Sequence, residues 1–391
     1  MRGSQAVVVG GGIGGLATAV GLLRAGWRVT VLERAAEPGE VGAGLTMMAN
    51  ALRALDALGL GDRVRAAGRV GPTGGLRTPT GRWLSRMDSA DMARRLGTTT
   101  LGVHRVDLHR ILREALPADT LHGGAEVRAV RGDDHGAEVD VRRAGVTRTL
   151  RADLVVGADG LRSVVRGCLW PDTPPPAYAG TTAWRAVVEW PAPVPASVTW
   201  GPGTEFGMVP LGGDRVFWFG GITCPPGERA GDELAEVRRI FGSWHAPIPE
   251  LLAVTAPERV LRHDVYHLAT PLPSYARGRV ALLGDAAHAM TPHLGQGAAM
   301  ALEDAAVLGH HCAAAPDPAT ALAAYDRDRR PRTQEMARAS YRLGRFGQYL
   351  RSPAAITVRD TLTRLVPPGV ALRPMLGYAR WRPPVDTRTR V

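Results

Sequence analysis

The stretch Ala6-Val7-Val8-Val9-Gly10-Gly11-Gly12-Ile13-Gly14-Gly15, answered by Glu33, decides the fold. Four apolar residues in a row read as a strand buried on both faces of a parallel sheet. From Ile13 to Ala25 the chain predicts a helix closed by Gly26, and Val29–Leu32 predicts the next strand. Strand, helix, strand in that order requires a right-handed crossover. Within the turn, Gly10 permits the tight bend, Gly12 lets a pyrophosphate reach the backbone, and Gly15 lets helix and strand pack closely. The free N–H groups and the helix dipole favour a doubly anionic phosphate. Glu33 falls at the end of the second strand, where a carboxylate accepts from a ribose diol and repels a 2′-phosphate. The site suits FAD or NAD and disfavours NADP; an ordinary glycine loop is the alternative.

Around this motif, 391 residues with 45% hydrophobic and 22% charged side chains describe a globular chain of two or three units. A chain of this length folds without disulfides or metal. Its three cysteines, Cys168, Cys224 and Cys312, are far apart and lack metal-ligand spacing, so free thiols in a reducing compartment are expected. No apolar run approaches the roughly 20 residues of a membrane span. The first residues run straight into a strand without a secretory or lipidation signal, so a cytoplasmic location is expected. All 48 cationic side chains are Arg, against 37 acids, for a net charge of +11. Without lysine, Schiff-base chemistry and a P-loop are excluded. The arginines are scattered, so no nucleic-acid partner is expected. Arg327, Arg329, Arg330 and Arg332, interleaved with Asp326 and Asp328, read as a solvated helix face.

The organisation is α/β: a Rossmann-type domain interrupted by an inserted, mostly antiparallel β-sheet unit, then a helical C-terminal region. The boundaries expected are 1–70, 98–175 and 265–330 for the first unit, 71–97 and 176–264 for the second, and 331–391 for the third. Gly71–Met87 reads as a hairpin and Leu101–Leu116 as a helix. Ala125–Val130, Ala137–Val141 and Leu154–Val156 read as strands. Tyr178 to Trp244 holds ten of the 21 aromatic residues, with strands of period two at Thr181–Val188, Ser197–Trp200, Glu205–Pro210 and Arg215–Gly220. Val280–Leu283 returns to the buried-strand style.

Two further motifs carry chemistry. In the first, a buried strand ends at Gly157 and presents Asp159 at its carboxyl end, the edge where open α/β sheets bind ligands. Arg162 and Arg166 follow at the spacing of one helix face. In the second, a strand ends in Gly284-Asp285, and Pro292-His293-Leu294-Gly295-Gln296-Gly297-Ala298 leads into a helix that carries Glu303 and Asp304. That helix N-terminus could stabilise negative charge developing on a flavin ring. Gly295 and Gly297 would let the ring lie against bare backbone.

Together and in this order, the three motifs resemble the class A FAD-dependent monooxygenases of the para-hydroxybenzoate hydroxylase fold. The segments Gly42-Ala43-Gly44-Leu45, Asn50–Leu55, Thr182-Ala183-Trp184-Arg185 and Pro292–Gly297 are similar to the salicylate hydroxylase, urate hydroxylase and zeaxanthin epoxidase branch. The resemblance spans essentially the whole chain. It implies FAD on Gly10, Gly12, Ile13, Gly14 and Gly15, with Glu33 and Arg34 at the adenosine ribose and Val127 at the adenine. It also implies that Gly44, Arg105, Asp159 and Asp285 contact the cofactor, and that Pro292 through Ala298 line the isoalloxazine. The chain departs from the branch at Met48-Ala49-Asn50, where Pro often precedes Asn, and at Thr46, where some relatives place a substrate-side histidine.

The activity implied is hydroxylation of an aromatic or N-heteroaromatic molecule, with NADH or NADPH as transient co-substrate, through a flavin C4a-hydroperoxide formed with O₂. Such chemistry needs a dry pocket. Phe206 and Met208 on one strand, and Phe217 and Phe219 on the next, are expected to form its roof; a plain hydrophobic core is the alternative. His293, following Pro292, is the candidate group for deprotonating a phenol, or a loop histidine with no such role. Arg185 could pair with a substrate carboxylate or phenolate, or be a strand-edge arginine. The same scaffold could instead serve an epoxidase or Baeyer–Villiger-type oxygenase. Less in keeping with the motifs is a flavin-free NAD-dependent dehydrogenase. A monomer or homodimer is expected.

Overall fold

The computed structural model describes residues 3–37, 43–366, 370 and 373–384. Gly42, at the head of one branch segment, lies outside the described residues, as do Pro367 and Pro368.

Gln5–Val9 lies inside a six-stranded sheet ordered Ala276–Arg277, Val280–Leu282, Leu154–Gly157, Gln5–Val9, Arg28–Leu32 and Leu121–His122. Val8 pairs with Val156 on one side and Val31 on the other, both in parallel. Ala6 to Val8, Leu154 to Val156 and Val280 to Leu282 are all 0% exposed. Burial on both faces is why each reads as an unbroken apolar run instead of an alternation. The chain leaves this sheet at Gly157 and returns at Val280, parallel to Leu154–Gly157.

Between those points runs most of a seven-stranded sheet, ordered Leu261–His267, Ala177–Glu189, Arg215–Thr223, Thr204–Leu211, Ala196–Gly201, Thr73–Arg77 and Trp83–Asp88. Its neighbours are antiparallel except where Ala196–Gly201 meets Thr73–Arg77. A third sheet joins Glu126–Gly132 and Ala137–Arg143 to Val146–Ala152, a strand whose largely exposed side chains left no apolar signal to read.

Leu101–Leu116 divides. Leu101–His104 is a strand paired with Gly44–Met47, and the helix is Arg105–Glu114. Gly102 explains the change: it is a poor helix former, and a Cβ there would stand 1.9 Å from the Pro210 carbonyl oxygen. The chain thereby passes close under the seven-stranded sheet. The helix after Asp159 begins only at Val164, so Arg162 and Arg166 do not share a helix face. Arg166 is buried instead and donates to the carbonyls of Ala286 (2.9 Å) and Leu161 (2.6 Å).

The helices Gly297–Ala314 and Pro318–Phe346 pack together, and their contact corrects the expected solvated face. Arg327 and Asp328 are exposed, but Arg329 is 0% exposed. Glu303 and Asp304 on the neighbouring helix are equally buried, and buried carboxylates require cationic partners. The chain continues through the helices Pro353–Leu365 and Arg373–Ala379. Among the described residues, no helix is long and apolar enough to cross a membrane.

Candidate active site

The glycine turn is built by close approach. Gly10 adopts φ +108°, and a Cβ on Gly15 would stand 1.9 Å from the Gly10 carbonyl oxygen. Any side chain at position 15 would therefore push the helix off the strand. Gly14 abuts Leu283 and Ala301, and Ile13 is buried. Gly12 is different: nothing lies within 4 Å of the place a Cβ would occupy. It is the N-cap of Ile13–Arg24, which has no side-chain cap and no acid in its first turn, so its first N–H groups remain available to an anion. Glu33 accepts from the N–H groups of Gly11 (Oε2, 2.7 Å) and Ala35 (Oε1, 2.9 Å). His109, which the sequence reading missed, braces the loop, with Nε2 2.9 Å from the Gly11 carbonyl oxygen. Arg34 and Arg105 are exposed, and the Arg105 N–H donates to Ala43 at 2.8 Å. Val127 is buried in Glu126–Gly132, two residues past the Ala125 N–H that donates to the Glu33 carbonyl.

Asp159 caps the helix Val164–Leu169. Its carboxylate accepts from Ser163 Oγ (2.5 Å) and from the N–H groups of Val164 (2.7 Å) and Val165 (3.1 Å). Burial pushes its pKa up, and these hydrogen bonds only partly offset that. Asp285 is exposed at the turn after Val280–Leu282. Arg166, through Ala286, ties the Asp159 and Asp285 turns to one another.

The loop Pro292–Ala298 rests on a buried charged network. Gln296 is 2% exposed, and its Oε1 accepts from Asn50 Nδ2 at 2.8 Å. The same Asn50 nitrogen lies 2.8 Å from Glu303 Oε1. Glu303 also takes Arg329 (2.6 Å) and Arg332 (2.7 Å), while Asp304 takes Arg329 (2.7 Å), His288 Nε2 (2.6 Å) and the Gly284 N–H (3.0 Å). Burial works against ionisation of Asp304, but His288 and Arg329 outweigh it and hold its pKa at about 2. One network thus fixes both the Gly284-Asp285 turn and the Gln296 loop. Asn50, Glu303, Asp304 and Arg329 were not read as site residues. The available signal was two adjacent acids in an otherwise apolar helix, since acids are almost never fully buried unless paired. Above the network, Pro292 and Gly295 are exposed, and Gly297 and Ala298 are half-buried. Helix Gly297–Ala314 has no side-chain cap, and the Cβ positions of Gly295 and Gly297 are open.

The seven-stranded sheet separates the expected roof into two faces. Met208 pairs with Trp218 and Val209 with Phe217, and directly opposed residues share a face. Phe206 and Met208, at 0% and 1% exposure, therefore point away from the loop into a core with Trp184, Trp218 and Phe241. Phe217 and Phe219 lie on the other face, with Val187 and Val209. Phe217 abuts Gly44, and the Phe219 ring crowds Gly207, whose Cβ would stand 2.1 Å from it. Thr46 shares the Gly44 side of its strand by alternation. Arg185 pairs with Phe219 and so belongs to the same face. Burial and the nearby Arg105 lower its pKa, and among the described residues it has no carboxylate partner. Glu205 joins this face opposite Gly221. Its carboxyl is pushed up by burial, against the pull of His293 and Trp200. His293 Nε2 lies 3.0 Å from Gln348 Oε1, while its Nδ1 is buried without a hydrogen bond, as is Tyr349 Oη.

The family model for an FAD binding domain matches residues 4–340. The chain is 38% identical over 368 residues to an aurachin C monooxygenase/isomerase of Stigmatella aurantiaca, covering 93% of this chain and 94% of that one. It is 34% identical over 376 residues to a 2-heptyl-3-hydroxy-4(1H)-quinolone synthase of Pseudomonas aeruginosa (strain UCBPP-PA14), covering 92% and 94%. The chain belongs to the class A flavoprotein monooxygenases. Its fold superposes on Klebsiella pneumoniae HpxO, solved with FAD and uric acid, with a TM-score of 0.89 at 26% identity over 96% of both chains.

The cofactor of this class A monooxygenase is FAD, and its own residues fit that group. The open Gly12 position and the two uncapped helix N-termini provide anion sites, and the contact of Gly14 with Ala301 sets the first turns of the two helices side by side. The exposed Asp285 carboxylate is free of any protein hydrogen bond among the described residues. No cluster of three or more His, Cys, Asp or Glu among them could hold a metal.

Proposed function

We propose that this monooxygenase hydroxylates a flat, bicyclic N-heteroaromatic ring bearing an oxo or hydroxyl group, of the 4(1H)-quinolone kind. The observation that carries the reading is the inward sheet face, where the rings of Phe217 and Phe219 adjoin the unpaired guanidinium of Arg185. The rings offer an apolar slot for a planar substrate. A half-buried guanidinium without an acid partner calls for an acceptor oxygen, and it binds the more strongly as that oxygen gains negative charge. Two similar proteins, one named as the synthase of a hydroxylated 4(1H)-quinolone and one solved with uric acid, speak for the same class.

Bound FAD supplies hydride acceptance from NADH or NADPH and the activation of O₂. The chain's part is binding and shielding. Gly12 and the Ile13–Arg24 helix N-terminus hold the pyrophosphate, Glu33 the ribose, and Asp285 the ribityl region. Gly295, Gln296, Gly297 and Ala298 seat the ring system, with Pro292 at the substrate side. Thr46, Phe217 and Phe219 exclude water. Arg185 stabilises negative charge on the substrate oxygen and so favours loss of the substrate proton, which raises the nucleophilicity of the adjacent ring carbon. His293, through its unpaired Nδ1, receives the substrate proton.

The test is turnover of 2-heptyl-4(1H)-quinolone by the FAD-loaded protein with NADH or NADPH in air. The expected product gains one oxygen on the carbon beside the oxo group, located by NMR. Nicotinamide oxidation that yields only peroxide with this probe and with a panel of quinolones and hydroxypyridines overturns the reading.

A further inference from the structure

Among the described residues, eleven large hydrophobic side chains are exposed, and seven of them lie between Tyr341 and Val370. Three belong to the helix Pro353–Leu365: Val358, Leu362 and Leu365, exposed by 58%, 54% and 72%. Their spacing of four and three residues puts them on one stripe. The helix is mounted with its Arg359–Asp360 pair inward and Arg364 exposed. Arg359 is 2% exposed, donates to the Gly347 carbonyl at 3.0 Å, and sets its guanidinium carbon 5.3 Å from the centroid of the Trp200 ring. Asp360 pairs with it at 2.7 Å. A surface helix of a water-soluble domain ordinarily turns its apolar stripe to the core; here the stripe faces out.

The same part of the chain is cationic. Residues 338–366 hold six Arg against one Asp, a net +5. Arg345, Arg351 and Arg364 are among the exposed ones. Outward apolar side chains and a concentrated positive charge within one segment are the two features that seat a helix at a lipid interface.

We propose that the Pro353–Leu365 helix docks this enzyme on an anionic bilayer surface. Val358, Leu362 and Leu365 enter the boundary between headgroups and acyl chains, and the surrounding arginines meet lipid phosphates. Charge selects this occupant over a second copy of the chain. A two-fold interface on this face would bring two such cationic segments together, whereas an anionic surface complements them. The proposal is independent of the reaction catalysed.

The full-length, FAD-loaded protein is sedimented with vesicles of phosphatidylcholine alone or mixed with phosphatidylglycerol, at low and high salt. Binding is expected only with phosphatidylglycerol present, weakened about tenfold or more by high salt. The double variant Leu362→Asp/Leu365→Asp is expected to lose binding by a similar factor, with its flavin spectrum and melting temperature unchanged because both side chains are exposed. Equal binding to both vesicle types, no binding to either, or binding untouched by the double variant overturns the proposal. So does a wild-type dimer in light scattering that the double variant splits, which would assign the face to a second copy.

Discussion

Arg329 Nη1 lies 2.6 Å from Glu303 Oε2, with the two side chains 1% and 0% exposed. Neither residue is exposed, yet the pair underlies the Gln296 loop and the Gly284-Asp285 turn. Glu303 reaches Gln296 through Asn50, and Arg329 reaches the Gly284-Asp285 turn through Asp304. The loop and the turn are therefore set by one rigid object, and no charge in it is left without an opposite.

Arg329→Met tests this directly. Removing one partner of a buried ion pair leaves uncompensated charge and costs about 3–5 kcal/mol. Urea denaturation should show a loss of that size, and the variant should release FAD more readily than wild type because the Gln296 loop loses its footing. A loss below about 1 kcal/mol would mean that the network behaves as a surface ion pair.

Acid should disarm the same network. With its folded pKa held at about 2 against an ordinary 3.8, Asp304 contributes roughly 2 kcal/mol of stability. The sign follows from the depressed folded pKa: the contribution is present above the unfolded value near 4 and disappears as pH falls toward 2. Asp304→Asn should be less stable than wild type at neutral pH, and the gap should close in that window. Melting temperatures of both proteins across the acid range measure it; a gap independent of pH refutes the assignment.

The glycine fingerprint, both carboxylate turns and the split of the first sheet were legible because each is a local pattern. Arg329 was not, because an arginine in a run of mixed charges looks the same whether the helix turns it outward or into a neighbouring helix. What carried the information was its partner, the Glu303-Asp304 pair. The roof of the pocket failed for a different reason. Alternation correctly put Phe206 with Met208 and Phe217 with Phe219, but it does not relate one strand to the next. The hairpin does: Leu211 pairs with Arg215 across the three residues Gly212, Gly213 and Asp214. An odd loop length sets even-numbered residues opposite even-numbered ones, so residues 206 and 208 could not share a face with residues 217 and 219.

Arg185 should govern substrate affinity more than cofactor affinity. Losing a charge-assisted hydrogen bond costs about 1.5–3 kcal/mol, so Arg185→Met should raise KM for a quinolone about 10- to 100-fold and leave the FAD content unchanged. Arg185→Lys should recover only part of the loss, because a lysine cannot offer the planar fork. Steady-state kinetics alongside flavin absorbance separate the two effects. An unchanged KM would make Arg185 a strand-edge arginine.

Glu205 offers the opposite titration to Asp304. Burial raises its folded pKa above the unfolded value, and His293 and Trp200 only partly restrain that shift. A carboxyl displaced in this direction supports folding in its neutral form. Its contribution is full below the unfolded pKa of about 4.3 and is lost as pH climbs through the folded pKa, because the fold must then hold an unpaired negative charge at 6% exposure. Glu205→Gln keeps the shape and stays neutral at every pH. The variant should therefore melt close to wild type near pH 4 and increasingly above it as pH rises, with the difference levelling off once Glu205 is ionised in the wild-type fold. Melting curves of the two proteins from pH 4 to pH 9 give the answer. A variant that melts below wild type as pH rises would show that the fold stabilises the ionised Glu205 carboxylate and would refute the assignment.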